Sequence, residues 1–402
     1  MTVRSPIVIA GIVLALTAAA VTLNSIAHAP SARYIEAASI GKQAKNFDEL
    51  AERFQVLARD RGALYAFEVL RRAELPQDTD IHLLGHAIGD ELYTQKGVAG
   101  MADCTQEFRN ACSHSVVIGA LTEWGEDALS LIHDACRRAP GGRGAYTMCF
   151  HGLGHGVFSY YDYSLPETVA FCEETSTKEY AYREAVECIG GAVMELTGGG
   201  GHDRDKWLAA RARYFPDDKP LWPCIGALIP DIAREICLTY LTPRLWEHAN
   251  IDPGRPDPQR FAEAFALCDA ISQEQGLRDA CFGGFGKEFV VLAAGRDVRG
   301  IDQLSDEEYS TAIRWCELAS VPDGIHSCIA DALASVFWGG ENDPDASFRF
   351  CALARDEGQE ACWERLAESI ATWIGDASDR QALCARIPRS SRSACELYNV
   401  LI

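Results

Sequence analysis

The amino-acid sequence predicts an all-α fold. It reads as a solenoid-like array of antiparallel helical hairpins, stapled by about eight local disulfides and preceded by an N-terminal transmembrane or signal helix. Three observations predict it. The 402-residue chain has 16 cysteines with successive gaps of 8, 24, 13, 23, 16, 36, 13, 31, 13, 35, 12, 23, 11, 22 and 11, so short and long gaps alternate throughout. Runs with helical periodicity end at the first cysteine of many short gaps and resume at the second, as in Leu129 to Cys136 and Cys188 to Leu196. The short gaps recur every 32 to 52 residues, the range of helical repeats.

The elements follow in order. Ile7 to Ile26 is an uncharged, mostly apolar run, long enough for a helix to span a hydrocarbon core. Residues 1–29 therefore read as a signal anchor. The alternative is a cleaved signal peptide, for which Ala27-His28-Ala29 supplies small residues at a cut and Pro30 a poor context. Residues 30–44 read as a linker. Residues 45–250 are the N-terminal repeats, opened by a cysteine-free cap with one apolar stripe: Phe47, Leu50, Phe54, Leu57, Leu64, Phe67 and Leu70. Thr197 to Pro223 is an insertion with a glycine run and one helix. The Pro/Gly/Asp-rich stretch Ile251 to Gln259 separates these repeats from a C-terminal set, 251–402.

No two cysteines lie closer than eight residues. This excludes C-x-x-C redox motifs, ribbon-type zinc sites and covalent haem attachment. Pairing across the short gaps gives Cys104–Cys112, Cys136–Cys149, Cys172–Cys188, Cys224–Cys237, Cys268–Cys281, Cys316–Cys328, Cys351–Cys362 and Cys384–Cys395. Each bridge would join the end of one hairpin to the start of the next. Sixteen buried free thiols are the alternative. Disulfides imply an oxidising compartment, the periplasm or the extracellular space.

Two segments share H-x-x-G-H: His82 to His86 and His151 to His155. Histidines four apart project from one helix face and can bind one metal ion together. His114 follows Cys112 by two residues, as His151 follows Cys149. His82, His114 and His151 thus hold equivalent positions in successive repeats, and a side-by-side stack would bring His82, His86, His114, His151 and His155 together. Imidazoles without thiolate suit zinc, copper, iron or nickel. Two facing rings could instead hold a haem. Asp90 and Glu91 are candidates to complete the shell or orient a ring. Glycines at 85, 152, 154 and 156 weaken a helix, which implies close approach of a neighbouring helix or ligand. The readings in which these histidines are packing residues, or in which one is catalytic without metal, stay open. Tyr160, Tyr161 and Tyr163 suit core or surface packing better than a ligand pocket.

Cys104-x7-Cys112, a helix end bridged to the next helix start, resembles the disulfide-stapled Sel1-like repeats of secreted bacterial proteins. The repeat lengths here are more variable, and the regular Leu-Gly/Tyr/Gly pattern is missing. His82-x-x-x-His86-x-x-Gly89, Cys112-Ser-His114 and Cys149-Phe-His151-Gly152 are similar to segments of secreted helical proteins of no established activity. That likeness covers about residues 47–165. It implies a repeated unit and supplies no catalytic residues.

A formal charge of −21 excludes a nucleic-acid surface, because phosphate neutralisation needs clustered Lys and Arg. There is no H-E-x-x-H, G-x-S-x-G or phosphate-binding loop. The expected function is a membrane-tethered extracytoplasmic protein with a histidine-based metal or cofactor site. The rivals are an interaction scaffold whose concave face binds a protein or peptide, and a metal-dependent enzyme without an identified base or nucleophile.

Overall fold

The computed structural model describes residues 32–76, 79–198, 203–271 and 274–395, and these contain helices and no strand. The N-terminal apolar run lies outside the described residues. Among those described, no helix is long and apolar enough to cross a membrane.

Residues 32–43, expected as linker, are helical. Helix α1 (Ala32–Ile40) buries Ala37 and Ile40, three apart on one face. Tyr65 and Arg61 hold its Glu36. The cap follows as α2 (Phe47–Arg61) and α3 (Ala63–Leu70). Asn46 starts α2 by accepting from the Glu49 amide at 2.8 Å. Leu50, Phe54, Phe67 and Leu70 are buried as the stripe requires, whereas Leu64 is exposed.

From α4 (Ile81–Lys96) onward the helices fall into an inner and an outer set, alternating from α5 to α12 and again from α13 on. The inner ones are α4, α5 (Ala111–Trp124), α7 (Gly142–Tyr160), α9 (Arg183–Gly198), α11 (Arg234–Tyr240), α14 (Gln275–Ala293), α16 (Pro322–Phe337) and α18 (Asp356–Trp373). Each packs beside the next. The outer ones are α6 (Leu129–Cys136), α8 (Leu165–Glu174), α10 (Arg204–Tyr214), α12 (Thr242–His248), α13 (Pro258–Asp269), α15 (Asp306–Cys316), α17 (Pro344–Leu353) and α19 (Ala377–Cys384). All eight expected disulfides are present, and no described cysteine is free. Bridges at this density place the protein in an oxidising, extracytoplasmic environment. The second cysteine does not always start its helix. Cys112 does, at the first turn of α5, whereas Cys149, Cys281, Cys328 and Cys362 lie about two turns in, so those four bridges grip an inner helix away from its start.

The array does not stay open. Helix α18 returns to α7, with the Gly142 and Gly375 backbones in contact and Trp373 packed on Gly144. Helices α7, α9, α11, α14, α16 and α18 therefore form a ring around a cavity of about 1020 Å³. The N-terminal arm reaches across to the C-terminal half. Glu341 accepts from the Phe108 and Arg109 amides at 2.8 and 3.3 Å, and Arg299 donates to the Leu70 and Ala73 carbonyls. The stretch 251–259 does not divide the core, because one buried cluster runs from Phe158 to Cys395. A second cluster spans Ala37 to Phe171, so the two meet along α7 and α8. The insertion holds α10, whose Trp207 and Arg211 donate to carbonyls at the end of α9.

Candidate metal centre

Helices α4, α5 and α7 bring all five sequence-identified histidines to one place. Ring centroids of His82, His86, His114, His151 and His155 lie 4.6 to 6.2 Å apart in the contacting pairs. His114, His151 and His155 are buried, and His82 and His86 are partly buried. The helix spacing makes this convergence geometrically feasible. A Cβ on Gly152 would stand 2.6 Å from the His114 Cα, so only glycine lets α7 approach α5 this closely. The same holds between α7 and α9, where a Cβ on Gly154 would meet the Cys188 carbonyl oxygen at 1.9 Å.

Three of the five rings have a partner on the outer nitrogen. His82 Nδ1 lies 2.7 Å from the Phe108 carbonyl oxygen. A carbonyl only accepts, so Nδ1 carries the proton and the neutral ring presents a bare lone pair at Nε2. His155 Nδ1 lies 3.1 Å from Glu195, which by the same reasoning frees its Nε2. Ser115 Oγ is 3.3 Å from His86 Nδ1 and donates to the His86 carbonyl at 2.9 Å. His151 Nδ1 faces Glu187 at 3.7 Å, too far for a hydrogen bond, and is buried without a partner. Carboxylates and carbonyls behind imidazoles are the arrangement that orients metal-ligating histidines.

The inner nitrogens lack such partners. Both ring nitrogens of His114 and Nε2 of His155 are buried without a hydrogen bond. His82 Nε2 and His86 Nε2 are 3.1 Å apart, near the ~3.3 Å edge of a tetrahedron with Zn–N bonds of 2.0–2.1 Å. One nitrogen each from His82, His114 and His155 lies within 4.8 Å of the others. An ion at the centre of such a triangle stands at most about 2.8 Å from each, so rings must move in by roughly 0.7 Å to reach bonding distance.

Glu91 points to the opposite side of α4 from His82 and pairs with Arg59 at 2.8 Å. Asp90 is exposed, one helical turn past His86. Two buried carboxylates come from α9: Glu187 and Glu195, eight residues apart. Their signal in the sequence is a carboxylate set inside an apolar helical run. Burial alone would raise Glu187, but Arg183 and His151 outweigh it and hold the carboxyl below the usual range. The tyrosines stay outside the site: Tyr160 is exposed, Tyr161 bonds Glu126, and Tyr163 is buried, accepting from the Asp203 amide. His133 and His326 lie elsewhere, against Tyr146 and Glu357.

Burial, reinforced by neighbouring imidazoles, pushes His114 well below its ordinary value and His82 below it. Burial likewise pushes His151 down to about 4. The unfolded chain takes up protons on these rings below about 6.5, whereas the folded chain does not. Stability of metal-free protein is therefore full above that value and is lost as pH falls toward about 4. The slope reaches at most about 1.4 kcal/mol per pH unit for each ring. After chelation, the melting temperature is expected to drop between pH 7 and pH 5, and less so in a His114→Gln variant. Equal melting at both pH values in the wild type would contradict neutral, buried rings.

Compared with family models, with curated proteins and with solved structures, the chain matches none.

Proposed function

We propose that this is an extracytoplasmic protein that binds one transition-metal ion through His82, His86, His114 and His155, with His151 as a fifth imidazole beside them. The observation that carries this reading is that His155 Nε2 and both nitrogens of His114 are buried without a partner, beside His82 and His155 rings whose Nδ1 atoms are fixed from behind. Leaving such polar atoms unpaired costs about 1–3 kcal/mol each, and an ion at the centre removes the cost. The depressed proton affinities of His82 and His114 keep those two rings neutral, as ligands must be. Glu195 stands behind His155 at 3.1 Å, and Glu187, paired with Arg183 at 2.8 Å, faces His151. All-imidazole ligation favours zinc or copper, with iron third. A porphyrin is wider than the cluster and would have to displace the rings, so a bare ion is preferred to haem. The apolar run Ile7 to Ile26 would tether the protein to the membrane it faces.

The test is elemental analysis of tag-free protein, beside a His82→Gln/His155→Gln variant. About one ion per chain is expected in the wild type, with affinity lowered more than ~100-fold in the variant, beyond what loss of an orienting partner alone would do. Equal metal content in both proteins, or none in either, would leave a scaffold with structural histidines.

A further inference from the structure

A second anomaly lies where the N-terminal arm meets the ring. Arg109 is only 8 % exposed, and its guanidinium cannot shed its charge by deprotonation in any ordinary range. Yet no carboxylate lies within ion-pair distance of it among the described residues. Its Nη2 donates to Ser335 Oγ at 3.1 Å, and its Nη1 is buried with no partner. Its guanidinium lies 3.9 Å from the centre of the Trp338 ring, and the Trp338 Nε1 is also buried without a partner.

The two nearest carboxylates are already committed. Glu341 spends its oxygens on the Phe108 and Arg109 amides, and Glu288 pairs with Lys287. The backbone is held under strain as well. Phe108, Arg109 and Asn110 have φ of 56°, 59° and 64°, a left-handed run that non-glycine residues avoid, at about 1–3 kcal/mol each. Such strain persists where surrounding contacts impose it, and it concentrates at ligand sites. Ser335 and Trp338, the two residues Arg109 touches, line the central cavity, as do Tyr240 and Lys287. Lys287 Nζ lies 5.1 Å from the Tyr240 ring centre, so a second cation faces the same space.

We infer that the side of the ring cavity lined by Ser335 and Trp338, with Arg109 behind them, is a binding site for a small molecule bearing an oxyanion, a carboxylate or a phosphate, seated on Arg109 Nη1 and Trp338 Nε1. Both groups are donors only, which an anion satisfies and a cation or a neutral acceptor-poor ligand does not. A cavity of about 1020 Å³ is in the range that encloses a small organic ligand. The inference does not depend on the metal, although the seat adjoins it: the carbonyl of Phe108, the residue before Arg109, is the one that fixes His82.

The test is titration of the full chain with inorganic phosphate and, separately, with succinate, read by tryptophan fluorescence at ionic strength held constant with potassium chloride. A saturable change with at least one of the two is expected, and it survives treatment with EDTA. The anion that saturates at lower concentration identifies the headgroup. Arg109→Met should weaken binding at least about tenfold, and Trp338→Phe should weaken it several-fold. Without anion, Arg109→Met should melt no lower than the wild type, because it removes an unpaired buried charge. Failure of both anions to saturate overturns the proposal. So does an Arg109→Met variant that binds like the wild type, or a response that disappears with EDTA and is indifferent to Arg109.

Discussion

Gly154→Ala is expected to lower stability by about 3 kcal/mol, the upper end for overpacking, and to weaken metal binding at least ~10–100-fold. The added Cβ would lie 1.9 Å from the Cys188 carbonyl oxygen, and its mirror contact is a Cβ on Gly191 against the His151 carbonyl oxygen, also 1.9 Å. Both obstacles are helix backbone, which cannot swing aside as a side chain does. Helices α7 and α9 must separate by roughly 1.5 Å to restore an ordinary contact. The glycine-to-alanine gain in helix propensity, about 1 kcal/mol, does not compensate. Separation at this crossing also pulls His155 on α7 away from Glu195 on α9, whose contact is now 3.1 Å, and so frees the ring that the carboxylate orients. The control is Gly198→Ala on the same α9, where a Cβ would meet nothing within 4 Å. That substitution should leave metal binding unchanged and stabilise by about 0.5–1 kcal/mol. Chemical denaturation and metal titration of the two variants measure both effects. A Gly154→Ala protein that melts with the wild type would show that the helices tolerate a wider spacing.

Reduction of the disulfides is expected to unfold the protein at neutral pH and moderate temperature. The eight bridges close short loops, with sequence separations of 8 to 16 residues, each worth about 2–3 kcal/mol in the chain-entropy model. The sum is not additive, yet it is as large as the whole ~5–15 kcal/mol by which folded domains are stable. Loss of the far-ultraviolet helical signal on adding reductant is the expected result. Intact mass should show no alkylation before reduction and sixteen adducts after it. Persistence of cooperative unfolding at an unchanged temperature under full reduction would mean that the helical packing alone suffices.

Much of this architecture is legible in the sequence because it is local. Cysteine gaps mark hairpin ends, since a bridge between neighbours needs only a short loop and two helices side by side. The register of His82, His114 and His151 is legible for the same reason: equivalent positions in adjacent repeats must face one another. What stayed hidden depends on distant or backbone contacts. No spacing reveals that the Phe108 carbonyl fixes His82, because a carbonyl has no residue identity. Glu187 and Glu195 stayed hidden because they approach the rings from α9, a helix that carries none of the five histidines. The helix at Ala32–Ile40 is too short for periodicity to separate it from a linker. Closure of α18 onto α7 joins residues more than 200 apart, through small contacts such as Gly142 on Gly375, which resemble any pair of loop glycines.

The ring also fixes an order of events for a chain that enters its compartment from one end. Every bridge joins sequence neighbours, so each can be oxidised as soon as its own segment has emerged. The ligand-bearing stretch from His82 to Glu195 is complete in the first half of the chain. The contacts from Glu341 to the Phe108 and Arg109 amides, and from α18 to α7, wait for the last third, and their long loop closure makes them slow to form. Assembly is thus staged, with stapled pairs first, the imidazole cluster next, and the chamber sealed last. A chain released early would hold the histidine-bearing half without the wall that encloses the cavity.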